Sequence, residues 1–448
     1  MTYEVTRRDA LALGASAAAL AITGASAQDA SKVQAADVAA PSLPIENGAT
    51  LRMLRPVRFV QADEDVFRAN AKKFTDKTGV EIKVDFVGWE DINQQTAVTS
   101  NSGAGPDIII GFGDAPHIYV DKLIELTDVA DYLDKRYGGW LALAKRYGMR
   151  SKSQSWIGLP FGASGGPLVY RKSLVNAAGF DKVPEDHAGY LELCKKLKAA
   201  GKPAGFALGN AVGDGNGFAN WLLWSHNAAL LDEEGNIIIN SRETIAALKY
   251  LKELYPTFIA GTPSWNDVSN NRAYSSQEIG LTANGVSLYF SLKNDPATKA
   301  VADDTEHQFL PKGLASTSPM SGLTLNAMVF KHSPYPNAAK ALLQFMLEKE
   351  QYEPWLNANS GYWSQPLAAY ANAAVWSSDP KVAIFKDTMR SPYYNGYKGP
   401  ISTATGAVNA DYVLVQMCAS VATDAAKPEA AAAEAEQRAK RYFRRQGR

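Results

Sequence analysis

The chain has 448 residues, 46% hydrophobic and 21% charged, and its 46 basic and 46 acidic side chains leave no net charge. That length predicts two or three folding units, and the composition excludes wholesale disorder and a collagen-like fibre. A neutral balance also excludes a general electrostatic pull toward nucleic acid or anionic membrane. The 35 glycines beside 9 Trp, 20 Tyr and 16 Phe suit a loop-rich protein that handles a polar ring or flat ligand.

Residues 1–27 read as an export signal. Arg7-Arg8 precede an apolar run from Ala10 to Ile22, and Ala25-Ser26-Ala27 offers a small-residue cleavage site, so processing is expected near Ala27/Gln28. The arginine pair resembles a twin-arginine (Tat) signal, with Ala10 where Phe is usual, so the Sec route stays open. The run falls short of the roughly 20 apolar residues a membrane span needs. Residues 28–50 are small, polar and Pro-containing and are expected to form a flexible lead-in.

The pattern then predicts a strand over 51–60, a helix over 63–78 and a half-buried strand over 80–87, where Val80, Ile82, Val84 and Phe86 alternate. A helix over 90–100 ends at Ser102-Gly103-Ala104-Gly105, and 106–110 reads as a short strand apolar on both faces. This order predicts an α/β sheet with right-handed crossovers. Further on, 168–170 and 205–208 read as strands, and 231–240 as a turn feeding a strand. Helices are expected over 186–200, 217–229, 241–255 with Ser241 as N-cap, 337–349 and 429–443. Cys194 and Cys418 read as two buried thiols, though spacing leaves a disulfide open.

Several apparent motifs fail their context. Gly162-Ala163-Ser164-Gly165-Gly166 has the G-x-S-x-G spacing, but Pro167 and an extended segment follow where a nucleophile elbow needs a helix. Gly213-Asp214-Gly215-Asn216-Gly217 is too short for a calcium loop. No Walker motif, dinucleotide fingerprint or zinc spacing is present, so no catalytic residue, cofactor or metal is assigned.

Six segments in order carry a resemblance. They are Phe74–Val84; Ser102-Gly103-Ala104-Gly105-Pro106-Asp107-Ile108-Ile109; Gly158-Leu159-Pro160 with Leu168–Leu174; Arg272–Gly285; Leu310-Pro311-Lys312-Gly313; and Asn337–Phe345. Together they resemble the extracellular solute-binding proteins of ABC importers, in the carbohydrate-binding group that includes the maltose-binding protein. The resemblance implies an α/β, two-lobed binding protein of the periplasm whose lobes close on ligand about a hinge of three crossovers. It implies an N-terminal lobe of 51–167 and 321–363 and a C-terminal lobe of 168–320 and 364–448. It also implies a monomer, a small-molecule ligand of carbohydrate type, and permease subunits as partners.

Asp114 matches a ligand-contacting aspartate of that group, beside Gly113, and reads equally as an N-cap for 115–123. Ser164 matches a ligand position at the first crossover. Ser287 stands where the group often has a stacking Trp, after Asn284-Gly285, with Tyr289 two residues on in an expected strand. Ser321-Gly322 falls at the second crossover and Tyr362-Trp363 at the third, with Tyr394 in the last cleft-facing segment. From the residues themselves, Trp89 follows a strand at its carboxyl end, Trp221 lies on a helix face, and Trp265-Asn266-Asp267 forms a polar aromatic loop. Arg58, with Arg55, would meet an anion if it faced the cleft. A non-carbohydrate polar or anionic solute on the same fold, and a secreted glycoside hydrolase, remain the alternatives.

Overall fold

Two sheets organise the chain. The computed structural model describes residues 31–89 and 91–446, so the export signal expected at 1–27 lies outside the described residues. In chain order the strands are β1 (Thr50–Pro56), β2 (Glu81–Val87), β3 (Ile108–Phe112), β4 (Leu159–Gly165), β5 (Leu168–Arg171), β6 (Leu281–Ala283), β7 (Thr305–Gln308) and β8 (Gly322–Val329). The first sheet has the order β2-β1-β3-β8-β4 and the second β6-β5-β7.

In the first sheet β1 runs parallel to β2 and β3, while β8 runs antiparallel to both β3 and β4. Ile108, Ile109 and Ile110 are all essentially without exposure, as expected of a central strand covered on both faces. The helix Gln61–Thr78 buries Phe67, Ala71 and Phe74, three or four residues apart, on the first core. It stops at Gly79, whose φ of 78° takes the left-handed turn and returns its N–H to the Thr75 carbonyl.

Only two residues separate β4 from β5, so the chain passes directly from one sheet to the other. It returns through β8. The first core gathers side chains of β1, β3 and β8. It also takes Leu367, Tyr370, Phe385 and Met389, so the boundary expected after Trp363 does not interrupt packing. The second core joins Leu168, Tyr190, Trp221 and Leu248 to the helices Val413–Ala422 and Pro428–Gln446. Helix Arg242–Leu254 starts as expected, with the Ser241 hydroxyl accepting the Thr244 N–H. Cys194 and Cys418 are both free and buried.

Three expectations are corrected. The segment 205–208 is not a strand. Beside it Ala204 makes only isolated bridges to Phe258 and Leu281, and the Thr282 hydroxyl takes the Gly205 carbonyl that a ladder would use. The segment 231–240 forms a turn in which Asp232 accepts the Asn236 N–H, with one bridge from Leu231 to Ile237. The lead-in is not loose over 33–50. Val33 is buried, its carbonyl accepts Lys349 Nζ, Ala36 pairs with Arg136, and the Glu46 carboxylate accepts the N–H groups of Asn337 and Ala338. Those two amides open the helix Pro336–Leu347, where a carboxylate is favoured.

Arg55, at the carboxyl end of β1, is buried with Asp63 in a two-pronged ion pair of 3.0 and 2.9 Å. Trp355 donates its indole N–H to the same carboxylate at 2.6 Å, and the guanidinium lies over Phe67. The pair pins the helix Gln61–Thr78 and the helix Lys349–Ala358 to the first strand. Removing one partner strands the other charge in the core, so Asp63→Ala is expected to cost about 3–5 kcal/mol in urea unfolding. A loss under about 1 kcal/mol would mean the pair is not what holds these elements.

Candidate functional site

The carboxyl ends of the parallel strands carry the loops that form one wall of a cleft. Phe59 follows β1, Trp89 follows β2, Gly113 follows β3, and Ser164 ends β4. Because β8 runs antiparallel to its neighbours, its start at Ser321-Gly322 reaches the same edge, with Gly322 opposite Gly165. This is the position at which open α/β sheets hold ligands. About 1050 Å³ of free space lies between this wall and the second, its open mouth included, which bounds the occupant to small-molecule size.

The first wall is aromatic. Phe59 meets Trp89 edge to face at 4.9 Å and Tyr362 at 4.8 Å. Trp89 is held from behind by Trp363, stacked at 5.9 Å, and its indole N–H donates to the Val57 carbonyl at 3.0 Å. Phe59 is 39% exposed, a large apolar side chain left open in the cleft. Tyr362 is hydrogen-bonded to Ser164.

The second wall is polar and rests on the helix Asp214–Trp224. The Asp267 carboxylate accepts the backbone N–H groups of Val212, Gly213 and Asp214 at 2.7, 2.9 and 2.8 Å. It thereby satisfies the donors that open that helix and fixes the glycine-rich loop before it. Asp214 lines the cleft beside it, hydrogen-bonded to Asn270. Burial, then the neighbouring Asp267 charge, push its carboxyl well above the ordinary range. Asn284 donates to the Asn271 side chain. The two walls come closest at Gly285, where a Cβ would lie 2.8 Å from Ser164 Oγ and 3.3 Å from the Tyr362 ring.

Of the residues singled out by sequence, the cleft brings together Trp89, Gly113, Ser164, Asn284, Gly285, Ser321, Gly322 and Tyr362. The others lie elsewhere. Asp114 is buried directly behind Gly113, with the Asn395 amide 3.4 Å from both carboxylate oxygens. It stands at the N-cap position of the short helix Ala115–Ile118, but its side chain makes no capping bond. Trp221 is core, its indole N–H on the Pro311 carbonyl at 2.8 Å. Trp265 packs over Gly205, and Asn266 holds a local turn with Ser269. Tyr289 falls on a helix, Ser287–Asn294, not the expected strand, and its hydroxyl donates to Asp379 at 2.7 Å; Ser287 lines the cleft instead. Trp363 backs the aromatic wall, and Tyr394 donates to the carbonyls of Lys398 and Gly399. Arg58 pairs with Gln61 and Glu64, and Arg55 with Asp63, so neither is among the lining residues.

Sequence reasoning missed Phe59, Asp214 and Asn270, and named Asp267 only as part of the loop Trp265-Asn266-Asp267. Asp214 stood in a glycine-rich motif set aside as a failed calcium loop. Phe59 and Asn270 carried no signal of their own.

A two-sheet α/β protein with its cleft at the carboxyl ends of the strands defines a solute-binding class. This chain belongs to the bacterial extracellular solute-binding proteins, whose family model matches residues 69–384. It is 22% identical over 314 residues to the Escherichia coli (strain K12) protein YcjN, named for a periplasmic-binding role in ABC transport; the match covers 67% of this chain and 69% of that protein. Among solved structures it superposes with TM-score 0.73 on an Arthrobacter chlorophenolicus A6 sugar transporter with bound laminaribiose. That pair is 18% identical, and the match covers 88% of this chain and 99% of the other. A maltose-bound MalE3 of T. maritima gives 0.70 at 19% identity over 88% and 99%, and an Agrobacterium vitis S4 binding protein with D-mannitol 0.70 at 18% over 89% and 99%. At these identities the structures establish the two-lobed fold.

Burial raises the Asp114 carboxyl from its ordinary 3.8 to about 7, against the opposing Asn395 hydrogen bond. The folded protein thus holds this proton more tightly than the unfolded chain. The resulting stabilisation is full below about pH 4 and is lost as the pH rises through about 7. Asp114→Asn is expected to show a smaller fall in Tm between pH 5 and pH 8 than the unaltered protein. Equal slopes would contradict this assignment.

Proposed function

We propose that the protein captures a carbohydrate (a sugar, oligosaccharide or polyol) in the cleft between its lobes and delivers it to the permease of an ABC importer. The observation that carries this reading is the pairing of an aromatic wall of Phe59, Trp89 and Tyr362 with a wall of carboxyl and amide groups at Asp214, Asn271 and Asn284. Sugar C–H faces stack on aromatic rings, while hydroxyls need donors and acceptors held in place. The matched solved structures, which hold laminaribiose, maltose and D-mannitol, support the same chemistry.

No Lys, Arg or His is among the described residues that line the cleft. A phosphorylated or sulfonated sugar would bury its charge without a partner there, which disfavours the anionic alternative. We further propose that the lobes, 51–167 with 321–363 and 168–320 with 364–448 save for the stretch 367–389 that packs in the first core, close about the crossovers at β4–β5 and before β8. The protein would act as an exported, periplasmic monomer and release its solute unchanged.

In a thermal-shift screen, a neutral sugar or polyol at 100 times its Kd should stabilise the protein by about 2.7 kcal/mol, and sugar phosphates should not. Consumption of the hit during the assay would point to a hydrolase instead. Phe59→Ala is expected to weaken binding of that hit by roughly fivefold in calorimetry, the loss of about 1 kcal/mol of stacking. Unchanged affinity would remove the aromatic wall from the account.

A further inference from the structure

The cleft is lined by a carboxyl group one of whose oxygens finds no partner among the described residues. Asp214 Oδ2 is fully buried and has no hydrogen-bond partner among the described residues. Its neighbour Asp267 is already committed to three backbone N–H groups at the start of the helix Asp214–Trp224. Asn270 serves the Asp214 carboxyl but is uncharged. No ion pair reaches Asp214 from a described residue, and no described cation lines the cleft. A buried carboxylate without a cation is costly, so either a proton or the solute must supply the positive charge.

We infer that the solute carries a protonated amine on a polyhydroxyl frame, as an amino sugar or amino polyol does, and that this ammonium pairs with Asp214. The inference rests on the carbohydrate reading of the same cleft. Two observations favour the solute as the source of charge. The opposite wall is a cluster of three aromatic rings, whose faces attract an ammonium. Tyr362 of that cluster and Asp214 also line the same cleft, so the aromatic wall and the carboxyl wall border one space.

The exchange balances. Without solute, burial and then the Asp267 charge favour the acid form of Asp214. On binding, R–NH₃⁺ replaces the acid proton as the partner of the carboxylate, and that proton passes to solvent. The other titratable described residues that line the cleft are Asp267, from the loop after Trp265, and Tyr147 and Tyr362. None supplies a compensating positive charge.

The test is calorimetry on matched pairs: D-glucosamine against D-glucose, D-mannosamine against D-mannose, and 1-amino-1-deoxysorbitol against sorbitol, each at pH 6, 7 and 8. At least one amine should bind ten or more times tighter than its neutral twin. Between pH 6 and 7, where the amine is protonated in solution, its affinity should rise with pH, and buffers of different ionisation enthalpy should show net proton release. Asp214→Asn, checked for folding by circular dichroism, should bring the ratio near one. A neutral twin that binds as tightly as its amine at every pH overturns the inference and leaves the carbohydrate reading standing. So does a tenfold preference that survives Asp214→Asn. Binding by neither member of any pair overturns the inference, and the thermal-shift screen then decides the carbohydrate reading.

Discussion

The site depends on the return of the chain through β8. An antiparallel strand inserted between two parallel ones brings its own start to the edge where theirs end. Ser321-Gly322 therefore joins Gly113 and Ser164 at the mouth of the first sheet, although they are more than 150 residues apart in the chain. Asn326, buried in mid-strand, reinforces the insertion by donating to the Gly113 carbonyl at 2.7 Å. The same return makes the first lobe discontinuous, so the connections between lobes lie side by side under the cleft. A strand that both completes a sheet and enters a hinge cannot shift register without moving the ligand wall with it.

The two walls divide the chemistry. The aromatic wall is built on the first sheet and stiffened from behind, Trp89 by Trp363 and by its bond to Val57. The polar wall is built on a helix start that Asp267 holds from a distant loop. A carboxylate committed to three amides stabilises the loop, so one acid does the positioning while the other, Asp214, lines the cleft. Gly285 lets the walls approach; any side chain there would press on Ser164 and Tyr362.

How legible this was in sequence follows the range of the interactions. Three strands of the first sheet, at 51–60, 80–87 and 106–110, were readable because burial imposes a period of two or a continuous apolar run, and Trp89 could be placed because it follows one of them; β4 and β8 were not read, and Ser321-Gly322 was placed by the family resemblance alone. The tryptophans on the helix Asp214–Trp224 could not be sorted, because nearly every position of that helix is buried and no polar face marks the outside. The partnership of Asp267 with the loop at 212–214 spans 53 to 55 residues and has no local trace. The lead-in read as loose because small polar residues carry no periodicity, yet Glu46 anchors it by capping a helix nearly three hundred residues on. Tyr289 was misplaced through a wrong element, since a helix at 287–294 turns it to Asp379 and leaves Ser287 at the cleft.

The most direct measurement is a crystal structure with the tightest-binding carbohydrate of the screen. The account predicts one solute between the walls, with a ring or carbon face on Phe59, Trp89 or Tyr362 and a polar group on Asp214. A solute bound outside this cleft, or inside it without touching either wall, would contradict the account.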